Sequence, residues 1–310
     1  MTDIQFETVT DGLRFPEGPI AMKDGSVILV EIERRTITRV HPDGRTEIVA
    51  QIDGGPNGAA VGPDGALYIC NNGGFNWHES DRTGLRPHGQ ATDYSGGRIE
   101  RLCLETGDLK VLYTASDKAP LKGPNDIVFD KDGGFYFTDH GKVRAREMDR
   151  GAVCYATIDG ASIREIIYPI MSPNGVGLSP DGKTLYVAET FTCRLWAFDV
   201  TGPGQLGLQP WPQSPNGGRF IAGLGGYRGF DSLAVDADGN ICVATIYSGE
   251  ISVISPDGSS VEMIPCPDPF ATNICFGGPD RMTAYVTMSS TGTLMKARWP
   301  HAGLPLEFER

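Results

Sequence analysis

Six oxygen-bearing side chains recur along this chain, each seven residues ahead of an aspartate that opens or sits in a turn. Glu17 precedes Asp24, Asn57 precedes Asp64, Asn125 precedes Asp132, Asn174 precedes Asp181, Asp231 precedes Asp238 and Asn273 precedes Asp280. Brought together, two carboxylates and four amides form a hard-oxygen donor set whose charge would balance a divalent cation. Such a set suits Ca2+ first, then Mg2+ or Mn2+. A catalytic Zn2+ site more typically carries histidine, and none of His41, His78, His88, His140 and His301 falls in the set. The chemistry this points to is a hard metal ion with an open coordination position. Asn and Asp beside Gly or Pro are also ordinary turn residues, a reading that applies most directly to Asn57 and Asn273. Glu17, in Phe15-Pro16-Glu17-Gly18-Pro19, has no evident turn role.

The spacing says what must position these groups. Successive copies are offset by 40, 68, 49, 57 and 42 residues, and strand-rich repeats of roughly 40–50 residues are the mark of a β-propeller. Each repeat reads as a hairpin. A strand of small residues (Gly58-Ala59-Ala60-Val61, Gly175-Val176-Gly177-Leu178) runs into a turn such as Pro63-Asp64-Gly65 or Pro180-Asp181-Gly182. A bulkier strand follows, as in Leu67-Tyr68-Ile69-Cys70 or Leu185-Tyr186-Val187. Small residues suit the crowded axis, and Asp-Gly supplies the turn. The expected architecture is all-β: residues 1–310 as a single six-bladed propeller domain with a metal in its central channel. Glu31, Asn71, Asp139 and Glu189, one strand further out, would back the inner ring as an acidic shell. The segments near Ile4–Val9 and Thr293–Arg298 would pair and close the ring of blades.

Residues from about Gly73 to Gly97 break the pattern with Trp77, His78, Arg82, Arg86, His88 and Tyr94. A loop of that length is usually functional or mobile, and here it would cover the site or form a solvated surface. Tyr247, Phe191 and Phe230 flank ring positions and could wall the site. His140 follows Asp139 at a strand end on the same face.

Composition excludes several classes. With 39 acidic and 27 basic residues the net charge is −12, against the basic stripe of a nucleic-acid binder and against attraction to anionic membranes. The N-terminus lacks a secretory pattern, and no apolar run approaches the ~20 residues of a membrane helix, so a cytoplasmic location is expected. The seven cysteines form no C-x-x-C pair, and Cys70, Cys242 and Cys275 read as reduced core thiols. Asp236-Ala-Asp238-Gly239-Asn240 mimics an EF-hand start, but Tyr247 stands at the twelfth position, so that reading fails. Nothing in the sequence indicates an oligomeric state.

Phe15-Pro16-Glu17-Gly18-Pro19, Gly123-Pro124-Asn125-Asp126, Ser172-Pro173-Asn174-Gly175, Gly229-Phe230-Asp231-Ser232 and Gly134-Phe135-Tyr136-Phe137-Thr138-Asp139, in this order and spacing, resemble the family of gluconolactonase, senescence marker protein (regucalcin) and luciferin-regenerating-like proteins. The resemblance spans nearly the whole chain. It implies a six-bladed propeller with one divalent ion in the channel, held at the positions of Glu17, Asn174 and Asp231. It further implies that Asn125 contacts metal, metal-bound water or substrate, and that the activity is lactone hydrolysis, often of sugar acids. Ca2+ is the expected ion, with Zn2+, Mn2+ or Mg2+ as alternatives. In that reading Asp231 is ligand and general base, and Asn125 orients the ring ester or the water. Asn125, Asn57, Trp77, Arg82 and Tyr247 form the substrate-facing set for a small-molecule lactone. The competing readings are a phosphotriester hydrolase and a non-catalytic calcium-binding propeller.

Overall fold

Six four-stranded antiparallel units arranged around a channel account for nearly every strand of the computed structural model, which describes residues 4–308. Blade 1 is Pro16–Ala21, Val27–Glu31, Thr36–Val40 and Thr46–Gln51. Blade 3 is Pro124–Phe129, Phe135–Asp139, Gly151–Ala156 and Ile163–Ile170. Blade 5 is Gly229–Val235, Ile241–Ile246, Glu250–Ile254 and Val261–Pro265. Blades 2 and 4 carry insertions. Blade 2 (Pro56–Val61, Leu67–Asn71, Arg98–Leu102, Leu109–Tyr113) sends out a separate hairpin, Phe75–Ser80 and Gly84–Gln90, between its second and third strands. In blade 4 (Pro173–Leu178, Thr184–Glu189, Arg194–Gly202, Arg219–Gly223) the long third strand also pairs with Gln205–Gly207. Blade 6 takes Ala271–Gly277, Thr283–Met288 and Thr293–Arg298 from the C-terminal part of the chain. Its fourth strand is Glu7–Thr10, with Glu7 opposite Lys296 and Thr8 opposite Met295. The two ends thus close the ring, as the sequence suggests. No helix occurs among the described residues, so none is long and apolar enough to cross a membrane.

The core lies between blades. Six clusters of buried side chains fill the six inter-blade interfaces, for example Tyr68, Ile127, Phe129, Phe135 and Phe137 between blades 2 and 3, and Val27, Leu29, Val40 and Leu294 between blades 6 and 1. Each fully buried aliphatic or aromatic side chain contributes about 1.5–3 kcal/mol, so the interfaces bind the blades into one ring. All seven cysteines are free, and Cys70, Cys242 and Cys275 are buried.

The repeated turn is built as expected, with one informative exception. Gly25, Gly65, Gly133, Gly182 and Gly239 all have φ between 67° and 87°. In blade 6 Arg281 stands at that place and is itself left-handed, at φ 55°. The turn geometry therefore overrides residue preference. Asp24, Asp64, Asp181 and Asp280 each accept a hydrogen bond from the backbone N–H two residues on. In blades 3 and 5 the same task falls to Asp130 and Asp236.

Candidate active site at one mouth of the channel

Each inner strand delivers its polar residue through a local irregularity. In all six blades the pairing of first and second strands shifts register beside that residue, between Glu17 and Ile20, Pro56 and Ala59, Pro124 and Ile127, Pro173 and Val176, Phe230 and Leu233, and Ala271 and Asn273. A bulge re-aims a side chain that a regular ladder would hold above the pleat. The following glycines permit the crowding this creates. A Cβ on Gly18 would lie 2.8 Å from the Asn57 carbonyl oxygen, one on Gly58 would lie 2.3 Å from that of Asn125, and one on Gly175 would lie 2.7 Å from that of Asp231.

Four of the six ring residues are joined by direct contacts or charge. Asn273 Nδ2 donates to Glu17 Oε2 at 2.9 Å, and the Gly18 N–H donates to the same oxygen at 2.8 Å. Asn174 favours the charged form of Asp231, and Glu17 opposes it electrostatically. Asn174 is itself braced, giving a hydrogen bond to Thr190 Oγ1 at 3.1 Å and accepting one from Ser232 Oγ at 3.3 Å. Asn57 and Asn125 occupy the equivalent bulges; both are buried, yet neither side-chain amide is hydrogen-bonded within the described protein. Glu17, Asn57, Asn125, Asn174 and Asn273 are buried, whereas Asp231 keeps some exposure to solvent.

A third carboxylate, Asp126, belongs with Glu17 and Asp231. It is buried, accepts from the N–H groups of Ile127 at 2.9 Å and Val176 at 3.2 Å, and so ties the inner strands of blades 3 and 4. Burial pushes its pKa up to about 7, with repulsion from Glu17 adding to the shift. Burial also raises Glu17, against hydrogen bonds from Asn273, Thr272 and Gly18. Asp231 is raised well above the carboxylate range, by burial first and then by Glu17. The sequence does carry a signal for Asp126, a charged residue where three other copies have glycine.

The donor set fits a divalent cation. Among the described residues no cluster of three or more His, Cys, Asp or Glu ligands is assembled; the convergent donors are two carboxylates with amide oxygens. The charges acting on Asp231 are those of Glu17 and Asp126, both negative. Buried like charges without a cation are costly, and an ion held by Glu17, Asp231 and Asn174 would neutralise two of them.

The expected acidic shell is something else. Asp139 accepts from the N–H groups of Lys122 and Gly123, both at 2.7 Å, and Gly141 at 3.0 Å. Asn71 Oδ1 accepts from Gly55 and Gly73, Glu31 from Arg14 and Thr38, and Glu189 from Met171 and Thr192. These side chains clasp the loops entering the inner strands and spend their lone pairs there.

The excursion within blade 2 roofs this face. Leu85 N–H donates to the Ser290 carbonyl at 3.0 Å, Gln90 N–H donates to Val143 at 2.9 Å, and Arg14 pairs with Glu79 at 2.7 Å. Trp77 packs against Phe15, with ring centres 5.1 Å apart. The hairpin thus touches blades 6, 3 and 1 from its root in blade 2. Lys142 pins that root: fully buried, its Nζ donates to the carbonyls of Asn72 at 2.9 Å and Gly74 at 2.8 Å and lies 4.0 Å from the Phe75 ring centre. Burial lowers its pKa to about 7. Nothing in the sequence distinguishes Lys142 from a surface lysine.

Tyr247 stands at the mouth at φ 73°, stacked on Tyr227 with ring centres 4.4 Å apart and edge-on to Phe270. Arg82 is placed apart from these groups, exposed at the hairpin tip. Arg86 is the arginine of this hairpin that lies over the mouth, 3.6 Å from the Phe270 ring centre. His140 packs edge-on against the half-exposed Phe191, and burial lowers its pKa to about 4, leaving it neutral.

A six-bladed ring with this polar mouth defines a class, and the comparisons place the chain in it. Residues 15–290 match the SMP-30/Gluconolactonase/LRE-like region. The chain belongs to that family. It is 30% identical over 254 residues to Lactonase drp35 of Staphylococcus saprophyticus, a match covering 81% of this chain and 69% of the relative. In fold it is similar to a gluconolactonase of Xanthomonas campestris (TM-score 0.74, 22% identity, 96% of this chain and 91% of that one). It is similarly close to regucalcin, a calcium-binding protein of Agrobacterium tumefaciens (TM-score 0.74, 17% identity, 98% of each chain).

Proposed function

We propose that this protein is a divalent-metal-dependent lactonase that opens the ring ester of a small-molecule lactone of the sugar-acid type. The observation that carries the proposal is the convergence of Glu17, Asn174 and Asp231 beneath the hairpin of blade 2, with Asp231 the most solvent-exposed of the ring. The names of the relatives agree with it. Glu17, Asn174 and Asp231 would hold the ion, Ca2+ best by donor type. A bound ion would supply Lewis acidity toward the ring carbonyl and offset the developing oxyanion.

The chain's own groups do the rest. The Asp231 carboxylate accepts a proton from the attacking water. The water oxygen bonds to the acyl carbon, the acyl–oxygen bond of the ring breaks, and the ring oxygen takes up the proton to leave a hydroxy acid. Asn125 and Asn57, with amides unspent on protein partners, orient the ring ester and its hydroxyls. Glu17 is fixed by Gly18 and Asn273, and Asn174 by Thr190 and Ser232, so the donors need no rearrangement. Trp77 and Tyr247 give the bound ring an apolar wall, and the hairpin limits water.

A pH-indicator assay on five- and six-membered lactones, after chelation and with Ca2+, Mg2+, Mn2+ or Zn2+ restored, tests this. Turnover that returns with metal is expected. Flat traces with every ion would overturn the proposal and leave a metal-binding propeller or a phosphotriester hydrolase as the next reading.

A further inference from the structure

Arg86 has no direct partner for its charge among the described residues, and Asp268 acts on it only through space. Its guanidinium carbon lies over the Phe270 ring, 3.6 Å from the ring centre, and among the described residues it makes no hydrogen bond and no ion pair. The Asp268 carboxylate already accepts four hydrogen bonds. Its Oδ1 accepts from the Phe270 N–H and Ser290 Oγ, and its Oδ2 from the N–H and Oγ1 of Thr291. Packing on an aromatic face holds the guanidinium plane and leaves its edge, with five N–H donors, directed elsewhere. The arginine is half-buried, so those donors are partly stripped of water.

Its place in the mouth is defined from both sides. Leu85, the preceding residue, is locked into the cluster of Phe15, Phe270, Trp77 and Tyr247. Tyr247 lies within electrostatic reach of both Arg86 and Asp231. One tyrosine therefore separates the free cation from the carboxylate assigned to the reaction. In a chain of net charge −12 whose channel holds three clustered carboxylates, an anionic substrate needs a fixed cation at the entrance.

We propose that Arg86 forms an anion subsite at the mouth, and that the preferred substrates are lactones bearing a second, ionised carboxylate. The planar guanidinium edge matches a carboxylate with two parallel hydrogen bonds, and Tyr247 and Tyr227 close the subsite toward blade 5. This rests on the lactonase reading for the reaction but not for the binding.

Two measurements separate the claims. The first is kcat/KM for a pair of lactones of equal ring size, one neutral and one carrying a carboxylate, in the wild type, Arg86→Met and Arg86→Lys. Wild type should favour the carboxylated ring. Arg86→Met should lower the ratio of carboxylated to neutral kcat/KM by about 10- to 100-fold, the usual value of a charge-assisted hydrogen bond, with Arg86→Lys between. A ratio that stays put while both substrates slow together would overturn the proposal and make Arg86 a lid-packing residue. A phosphate-bearing lactone in the same assay that outcompetes the carboxylated one would overturn the carboxylate assignment. The second is calorimetric binding of the ring-opened dicarboxylate product. Loss of binding in Arg86→Met supports the subsite even if no lactone is turned over, and equal binding by both proteins overturns it.

Discussion

Two sets of buried acidic side chains sit one strand apart at the same end of the propeller, and they do opposite work. Asp139, with its three backbone N–H donors, and Asp268, with two N–H and two hydroxyl donors, are clasps. Glu17 and Asp126 are buried and Asp231 is nearly so, yet these three act on one another as like charges. Burial and acidity alone therefore do not mark a site. The clustering of like charges does, because Glu17 raises both Asp126 and Asp231, and buried like charges with no cation between them are costly and gather at functional sites. This contrast corrects the idea that the outer residues reinforce the ring electrostatically.

The contrast yields effects of decreasing size. Asp231→Ala should cut kcat/KM by about 10^3-fold, in the range for loss of a positioned acid–base group, with Tm changed little or raised as a repulsion disappears. Retention of normal turnover would remove the assignment. Asp139→Asn should do the reverse, costing about 2–4 kcal/mol of stability as an amide N–H2 meets backbone donors, with turnover retained below its lowered Tm. An unfolding titration and an assay on the same sample separate the two.

Lys142 should give a smaller, pH-dependent signature. Its folded pKa, about 7, lies below the ordinary lysine range. Between those values the unfolded chain holds a proton that the folded chain has lost. By linkage, this group's contribution to stability rises with pH through that window. Melting curves from pH 7 upward should show a more positive slope in wild type than in Lys142→Met; an unchanged slope would mean the lysine stays charged on its three carbonyl-type acceptors. Smallest of all, Arg82→Ala at the exposed hairpin tip should shift stability by less than about 0.5 kcal/mol and leave kcat/KM alone.

Much of this was legible in the sequence. The seven-residue phrase carries both a turn constraint and a polar side chain at the channel mouth, so it exposes blade number, hairpin direction and the ring positions together. The closure by the strand Glu7–Thr10 was visible because a short strand-like segment stands at each end of the chain. Three things were hidden. Asp126 was masked by its neighbour Asn125, since adjacent residues in a strand point to opposite faces unless a bulge intervenes, and periodicity cannot show bulges. Choosing between Arg82 and Arg86 required knowing where the excursion turns, and its tip falls at Asp81–Thr83. Lys142 depends on a contact some 70 residues away in sequence, which no local pattern encodes.

The most direct test of the two-set account is calorimetric titration of chelated protein with Ca2+, comparing wild type, Glu17→Gln, Asp231→Asn and Asp139→Asn. The account predicts that Glu17→Gln and Asp231→Asn lose binding while remaining folded. Asp139→Asn, although less stable, should bind as wild type does. Full Ca2+ affinity in both ring variants, or its loss only in Asp139→Asn, would contradict the assignment of the inner carboxylates to the ion and of the outer ones to the fold.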